Sequence, residues 1–478
     1  MIFVRKIWMV SLSTLIVFCS VAQTKKLTLK ECVEIAVKNN LDVQKSDLSA
    51  QTAQAYLTQA KAAMLPSLNG SISHGAQQGR NLDPYSNTYI NANVSYGNYG
   101  LTTNLTLFNG LSIQNGIKQY RAAFQAANME EQQQKDNLTL NVILAYLQVL
   151  TNEDLLDLAY KQVDVTQKQV DRLKVLEREG FTATSGPKDL SDLKGQLATA
   201  QLNVVNTSNS LETARLTLAQ LLYIDYSKDL DVERLALDQV NFDYDSSVSN
   251  IYKTAEKNLA LIKAVDLRSK SASYALKSAK GLQYPSLSFG AGIYTNYSNA
   301  ATTQQLISTS DQKGNSYVNY NGDKLYVYAP TSVYQSHSIS YGDQFKNNKN
   351  TSFGLTLNIP LLNGFQTRTR INVARIQLKQ AELTAKATRV ILQQNVEQAY
   401  VYMTTAENSY KAQNDQVDAY KESFRIAELK FNAGAVNSDY YVLAKNNLDQ
   451  ANINLIVARY NYVLRTKILD YYQGRPLW

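Results

Sequence analysis

The stretch TSFGLTLNIPLLNGFQTRTR, residues 351–370, sets two periodicities side by side. Phe353, Leu355, Leu357, Ile359 and Leu361 alternate with Gly354, Thr356, Asn358 and Pro360, the period-2 pattern of a strand with one apolar face. Asn363-Gly364 then supplies turn chemistry. Beyond it, from Phe365 to Asn432, 68 residues pass without a glycine or proline, which reads as one long helix. At 1.5 Å per residue that helix is roughly 100 Å long, too long for an ordinary globular domain and suited to the wall of a tube.

The same succession stands upstream. Tyr99, Leu101, Thr103, Leu105 and Leu107 match the strand at an offset of 254, and Asn109-Gly110 matches Asn363-Gly364. The run 111–178, interrupted only by Gly116, matches 365–432, and Gly180 matches Gly434. Nearer the N-terminus, Ala36, Lys38, Asn39, Asp47, Leu48 and Pro66-Ser67-Leu68 recur at an offset of 219 as Ala255, Lys257, Asn258, Asp266, Leu267 and Pro285-Ser286-Leu287. The chain is therefore an internal duplication. About 35 extra residues lie between Leu287 and Gly364 in the second copy, in a connection that tolerates insertion. Pro66 and Pro285 stop a helix where a strand begins, and Gly110 and Gly364 mark the return from strand to helix. The strand connections, about 75–97 and 298–350, read as loops rich in Asn, Ser, Gly and Tyr. Their Tyr317, Tyr320, Tyr326, Tyr328, Tyr334 and Tyr341 read as packing and interface-belt residues, with contact to sugars or peptides as the alternative.

After each long helix comes a heptad seam. Leu190, Leu193, Leu197, Ala200, Val204, Thr207, Leu211, Ala214, Leu218 and Leu221 step by 3 and 4, as do Tyr441, Ala444, Leu448, Ala451, Leu455, Ala458 and Tyr462, followed by Leu469 after an interruption at Arg465. Such seams predict coiled-coil helices. The other helical stretches, near 30–64 and 249–283, are about half the length of the long helices, so two short helices stacked end to end match one long one.

Composition narrows the function. The 478 residues hold 2 His and 2 Cys, too few for most metal sites or for histidine-dependent catalysis, and no HExxH, GxSxG or phosphate-binding glycine loop is present. No catalytic residue, cofactor or metal site is expected, and the chain does not read as an enzyme. The net charge of +8 is dispersed, which argues against nucleic-acid binding. Arg5 and Lys6 followed by the apolar stretch Ile7–Val21, with Ser20 and Ala22 small, read as a signal peptide over 1–22. No later run is apolar enough to span a bilayer as a helix. The remaining way into a membrane is through the strands, each about ten residues with an apolar and a small-polar face. Four strands cannot close a barrel, so copies must join, as a dimer of 8 strands, a trimer of 12 or a tetramer of 16.

The duplicated Pro-Ser-Leu, the Leu107-Phe108-Asn109-Gly110 exit with its second version Leu361-Leu362-Asn363-Gly364, and the turn stretches Arg178–Leu190 and Phe431–Leu443 together resemble the TolC-like outer membrane efflux protein family. The resemblance covers nearly all of the chain after residue 22. It implies a mixed fold of α-helices and transmembrane β-strands, with four strands per protomer of a trimeric 12-stranded β-barrel continued by a long coiled-coil α-helical barrel. It implies a passive duct of a tripartite efflux or type I secretion system, in the outer membrane of a Gram-negative bacterium with a periplasmic extension. The implied partners are a homotrimer, outer membrane lipid, a periplasmic membrane-fusion adaptor and an inner-membrane RND, ABC or MFS transporter, with no nucleic acid. The expected organisation is a first repeat over 23–248 (helix, strand pair about 67–108, long helix 111–178, helix 187–222, linker) and a second over 249–478 (helix, strand pair about 286–361, long helix 365–432, helix 438–472). Family members close the periplasmic end with acidic rings. The corresponding positions here hold Tyr440 and Leu443, with Asp439 one residue out of register, and Asp189 and Asp192 lie near the first tip. Asp189, Asp192, Asp439 and Tyr440 are thus the candidate entrance residues, and Gly180 and Gly434 the candidate tip turns. Acids just after Pro187 also fit a helix N-terminus. The competing reading is a secreted or periplasmic coiled-coil scaffold or adhesin, which accounts for the heptads but not for the strands.

Overall fold

The computed structural model describes residues 26–82, 87–91, 93–179, 187–227, 230–234 and 247–477. The expected signal peptide and the first tip glycine, Gly180, lie outside the described residues. The chain divides into two compact units, one of the chain up to Gln51 with Gln125–Asp266 and Leu383–Trp478, the other of Thr52–Phe124 and Leu267–Glu382.

The helices are α1 (Leu29–Asn39), α2 (Leu41–Ala62), α3 (Ser112–Arg178), α4 (Pro187–Leu222), α5 (Val248–Asn258), α6 (Ala260–Gly281), α7 (Tyr341–Asn347), α8 (Gln366–Asn432) and α9 (Ser438–Gln473). Both long helices run 67 residues, within one residue of the expected limits. In the first unit the duplication is repeated as packing. One apolar cluster centres on Cys32, Ala36, Val142, Ala145, Tyr146 and Leu218. A second centres on Ile251, Ala255, Val396, Ala399 and Leu469, which occupy equivalent positions. Cys32 is fully buried, and burial pushes its thiol up to about 12, so it acts as a small apolar side chain where the second copy has Ile251. Tyr146, also fully buried, reaches the carbonyl oxygens of Leu27 and Glu233 at 3.1 and 2.5 Å. The heptad seam is inward as expected, with Leu193 and Leu218 fully buried on α4 and Tyr441, Ala451 and Leu469 on α9.

The stretches 30–64 and 249–283 are not single helices. A one-residue break in extended conformation separates α1 from α2 at Asn40 (φ −65°, ψ 124°) and α5 from α6 at Leu259 (φ −63°, ψ 135°). Asn40 restarts the helix by accepting from the N–H groups of Asp42 and Val43 through its side-chain oxygen. Leu259 has no such acceptor and is held by its burial. The break falls at the same place in both copies.

The second unit carries the strands β1 (Ser67–Gln77), β2 (Arg80–Leu82), β3 (Tyr89–Asn91), β4 (Val94–Asn109), β5 (Ser286–Ser298), β6 (Thr302–Tyr320), β7 (Asp323–Ser338) and β8 (Asn350–Asn358). Four of them form an antiparallel sheet in the order β1-β4-β5-β8, so β1 and β8 are its edges. Residues opposite one another share a face. One face shows rows such as Leu355, Phe289, Leu105 and Phe353, Ala291, Thr103, Leu68; the other shows Gly354, Gly290, Asn104, Ser67 and Ser352, Gly292, Thr102, Asn69. A bulge at Leu107 places Phe108, not Leu107, opposite Leu287. The 298–350 connection is not a loop. It holds the two-stranded hairpin β6–β7 and the helix α7, and the first connection holds the short pair β2–β3.

The junctions follow from backbone constraint. Pro66 and Pro285 each precede the first strand residue. Gly110 (φ +64°) and Gly364 (φ +59°) are left-handed, each followed by a left-handed non-glycine, Leu111 or Phe365. A Cβ on Gly110 would run into the carbonyl oxygen of Gly281, and one on Gly281 would lie 2.7 Å from the Gly110 oxygen. The two backbones touch because neither residue has a side chain. Gly110→Ala combines a left-handed cost of about 1–2 kcal/mol with this clash, and should lower the unfolding midpoint of the detergent-solubilised protein clearly. Gly70→Ala, with open space around the Cβ position, should leave that midpoint nearly unchanged.

Candidate functional site at the helix tips

The second tip turns at Gly434 (φ +69°), where the N–H of Gly434 donates to Phe431 O and that of Ala435 to Lys430 O. Asn437 then caps α9, its side-chain oxygen accepting from Tyr440 N–H at 3.3 Å. The next residue, Ser438, is fully buried and is met from the first copy. Its N–H donates to Asp189 Oδ1 at 3.1 Å, and its hydroxyl donates to Asp192 Oδ2 at 2.9 Å. Two carboxylates of α4 thereby satisfy the N-terminus of α9, where the helix dipole favours negative charge.

The third candidate acid is paired. Lys188 Nζ sits 3.0 and 2.8 Å from the two Asp439 oxygens, and 3.8 Å from Asp192 Oδ2. The Asp439 carboxylate holds the Lys188 ammonium above its ordinary lysine range through hydrogen bonding and charge. Helices α4 and α9 match residue for residue at an offset of 251, which makes Lys188 the counterpart of Asp439. The duplicated position has diverged into opposite charges that meet across the repeat. Of the four candidate entrance residues, Asp189, Asp192 and Asp439 are thus drawn together around Ser438 and Lys188, while Tyr440 points outward, exposed, with Lys430 Nζ 5.9 Å from its ring centre. Ser438 and Lys188 are the participants that sequence reading passed over. The signal was the opposed charge at matching helix positions.

Behind this surface Tyr441 is fully buried against Phe431 and Phe424, with ring centres 4.9 and 5.4 Å away. Its hydroxyl has no partner, and burial raises its pKa. Arg172 of α3 donates to Asn432 O at 2.7 Å, tying the long helix of the first copy to the end of α8.

The sheet contributes a second surface. Its polar face consists mainly of Gly, Ser, Thr and Asn, with Gln77, Val94, Tyr96 and Tyr294 among them, and carries no carboxylate or basic side chain. Among the described residues no group of three or more His, Cys, Asp or Glu is placed to hold a metal, and no helix is long and apolar enough to cross a membrane.

A family model described as "Outer membrane efflux protein" matches residues 32–222 and 251–472, one match for each copy. No curated protein matches. Among solved structures the chain is similar to the outer membrane protein VceC of Vibrio cholerae (TM-score 0.72, 14% identity, 94% of this chain and 97% of that one). It is also similar to the Campylobacter jejuni CmeC outer membrane channel (0.71, 15%, 93% and 85%) and to the open state of the Neisseria gonorrhoeae MtrE outer membrane channel (0.67, 16%, 94% and 89%). At these identities the likeness is one of fold.

The tip geometry makes a stability prediction. Asp189→Ala removes a buried helix-terminus acceptor and should cost about 1 kcal/mol in denaturant unfolding of the full chain. Lys188→Ala breaks an exposed, solvent-screened pair and should cost less than Asp189→Ala. Because the Lys188 pKa is raised on folding, its contribution is complete below the ordinary lysine value and fades only as pH rises through the elevated one. The two variants should therefore differ at pH 7 and keep that difference down to pH 6.

Proposed function

The chain belongs to the outer membrane efflux protein family, and from that premise we propose that three copies close one twelve-stranded barrel through which solutes leave the cell passively. It is an outer membrane efflux duct; the trimer, the partners and the roles of the tip residues are our reading. The observation that carries the reading is the two-faced, four-stranded sheet with open edges. Its apolar face suits lipid, its uncharged polar face suits a water-filled bore, and unpaired N–H and C=O groups along β1 and β8 cannot face hydrocarbon. Edge-to-edge joining of copies removes both edges together. The internal copy supplies the register. In one chain β4 pairs with β5, with Thr103 opposite Ala291. Carried over by the repeat offsets, β8 pairs with the β1 of the next copy, and Leu357 comes opposite Ile72. Both are exposed in the single chain, at 60% and 80%.

At the helix tips we propose that the Asp189–Ser438–Asp192 and Lys188–Asp439 contacts latch the two tips of a protomer together and hold the entrance narrow, and that the adaptor releases them. The transporter behind the adaptor, of the RND, ABC or MFS type, supplies the energy; the duct has no catalytic step. Uncovering Asp439 leaves a carboxylate at the mouth, which attracts cations.

Two experiments test this. Oxidation of an Ile72→Cys/Leu357→Cys variant should give covalent oligomers ending at the trimer on denaturing gels, while either single variant should give none; a dimer or tetramer as end product would contradict the stoichiometry. In planar bilayers Lys188→Ala should raise conductance and cation selectivity, and Lys188→Ala/Asp439→Ala should lose the added selectivity. Unchanged selectivity in both would remove Asp439 from the entrance.

A further inference from the structure

The apolar face of the sheet continues past the strands onto α7. The last rows of that face bring Ile72, Tyr99 and Thr295 together, then His74, Gly97 and Tyr297. Against them lie Tyr341 and Phe345, one turn apart on α7. Ring centres are 5.5 Å apart for Tyr99–Phe345, 6.3 Å for Tyr99–Tyr341 and 5.0 Å for Tyr297–Tyr341. The helix is pinned rather than loosely attached. Gln344 is buried and donates to the carbonyls of Ser298 and Ile339 while accepting from Ser298 N–H. Thr295 donates to Phe345 O, and Asn348 donates to Asn296 O. Ser340 caps the helix, and its hydroxyl donates to Asp343. Despite this anchoring Tyr341 and Phe345 stay 48% and 43% exposed. Lys346 and Lys349 follow, both exposed, and among the described residues neither is in an ion pair.

We propose that α7 and the residues after it form a seat for a phosphorylated glycolipid of the outer leaflet, with Tyr341 and Phe345 at the boundary of the acyl chains and Lys346 and Lys349 on the headgroup phosphate. What covers this face follows from continuity. It extends the surface that meets lipid, so the proposal rests on the duct reading. Its level follows from the chain path. The helices join the sheet at Pro66, Gly110, Pro285 and Gly364, and α7 lies at the opposite ends of the strands, which is the outer side when the helices are periplasmic. Aromatic rings with a polar edge favour that depth, and a cation just beyond them meets anionic headgroups. The rigid mounting means that little ordering is required when lipid binds.

The test uses the full chain purified in detergent, with lipid A and its dephosphorylated form as probes, followed by native mass spectrometry and by the shift in unfolding temperature. Wild-type protein should retain lipid A more strongly than the dephosphorylated form. Lys346→Gln/Lys349→Gln should weaken lipid A retention roughly 30-fold, about fivefold per lysine, and leave the dephosphorylated form unaffected. Tyr341→Ala/Phe345→Ala should weaken both. Equal retention of lipid A by wild type and the lysine variant overturns the proposal. So does displacement of lipid A by millimolar inorganic phosphate alone, which would mark a free-anion site. The lysine variant should still form oligomers and conduct, which keeps its result interpretable. Failure of the duct reading would show separately, as wild-type protein that carries no current in bilayers.

Discussion

Backbone hydrogen bonding in a solvent that offers none is the constraint on which the rest depends. A strand edge in hydrocarbon leaves a row of unpaired groups, each costing several kcal/mol. One chain leaves two such edges, β1 and β8. The sheet is therefore a fraction of a structure, and its strand pattern is intelligible only as part of a closed ring. The same constraint shapes the two faces. Lipid takes up the Leu and Phe rows without hydrogen bonds, while Asn, Ser and Thr on the other face keep water along the bore.

Duplication solves the matching problem this creates. When the two halves of a chain are alike, the seam between copies can repeat the seam within a chain, and one set of side-chain complementarities serves both. The packing shows how faithfully this has been kept. Ala36 and Ala255 are both fully buried, as are Val142 and Val396, and the helix breaks at Asn40 and Leu259 coincide. It also shows where the copies parted. Lys188 and Asp439 are opposite in charge at matching positions, and among the described residues only the second copy carries a long hairpin and a helix between its strands, β6–β7 and α7. Divergence is marked in the tip contacts and in the connection between the strands of the second copy.

The elements written in strong local chemistry were legible in the sequence. The long helices lack breakers, many of the heptad side chains are buried while Leu197, Val204, Leu448 and Leu455 stay half-buried, and Pro66, Pro285, Gly110 and Gly364 lie between a helix and a strand. What escaped was set by contacts distant in sequence. Asn40 and Leu259 carry no common breaker signal; the break is a single extended residue held by packing. The hairpin β6–β7 was hidden because its strands lack clean alternation over much of their length, with bulges after Leu306 and Lys313, and its aromatic pairing, Tyr317 against Tyr326 at 5.8 Å, depends on register. At the tips the acids were visible, but their partners were not. Nothing near Asp189 in sequence indicates Ser438, 249 residues away, as the group it serves.

The strengths of the tip contacts are compatible with the latch we propose. Lys188 and Asp439 are exposed, at 68% and 59% of their side chains, and solvent screening leaves such pairs weak. The Ser438 contacts are buried and hold more firmly, yet each is a hydrogen bond that water or a docking protein can replace. Tyr441 leans the other way. Its ring is held by Phe431 and Phe424, while its buried hydroxyl lacks a partner, a deficit of about 1–3 kcal/mol relative to a satisfied one. Movement of α9 that let this hydroxyl reach a partner would recover part of what is lost when the latch opens. The latch we propose, a few exchangeable polar contacts over a core in which Tyr441 Oη is unsatisfied, lies within the few kcal/mol that a binding partner's preference for one state can shift.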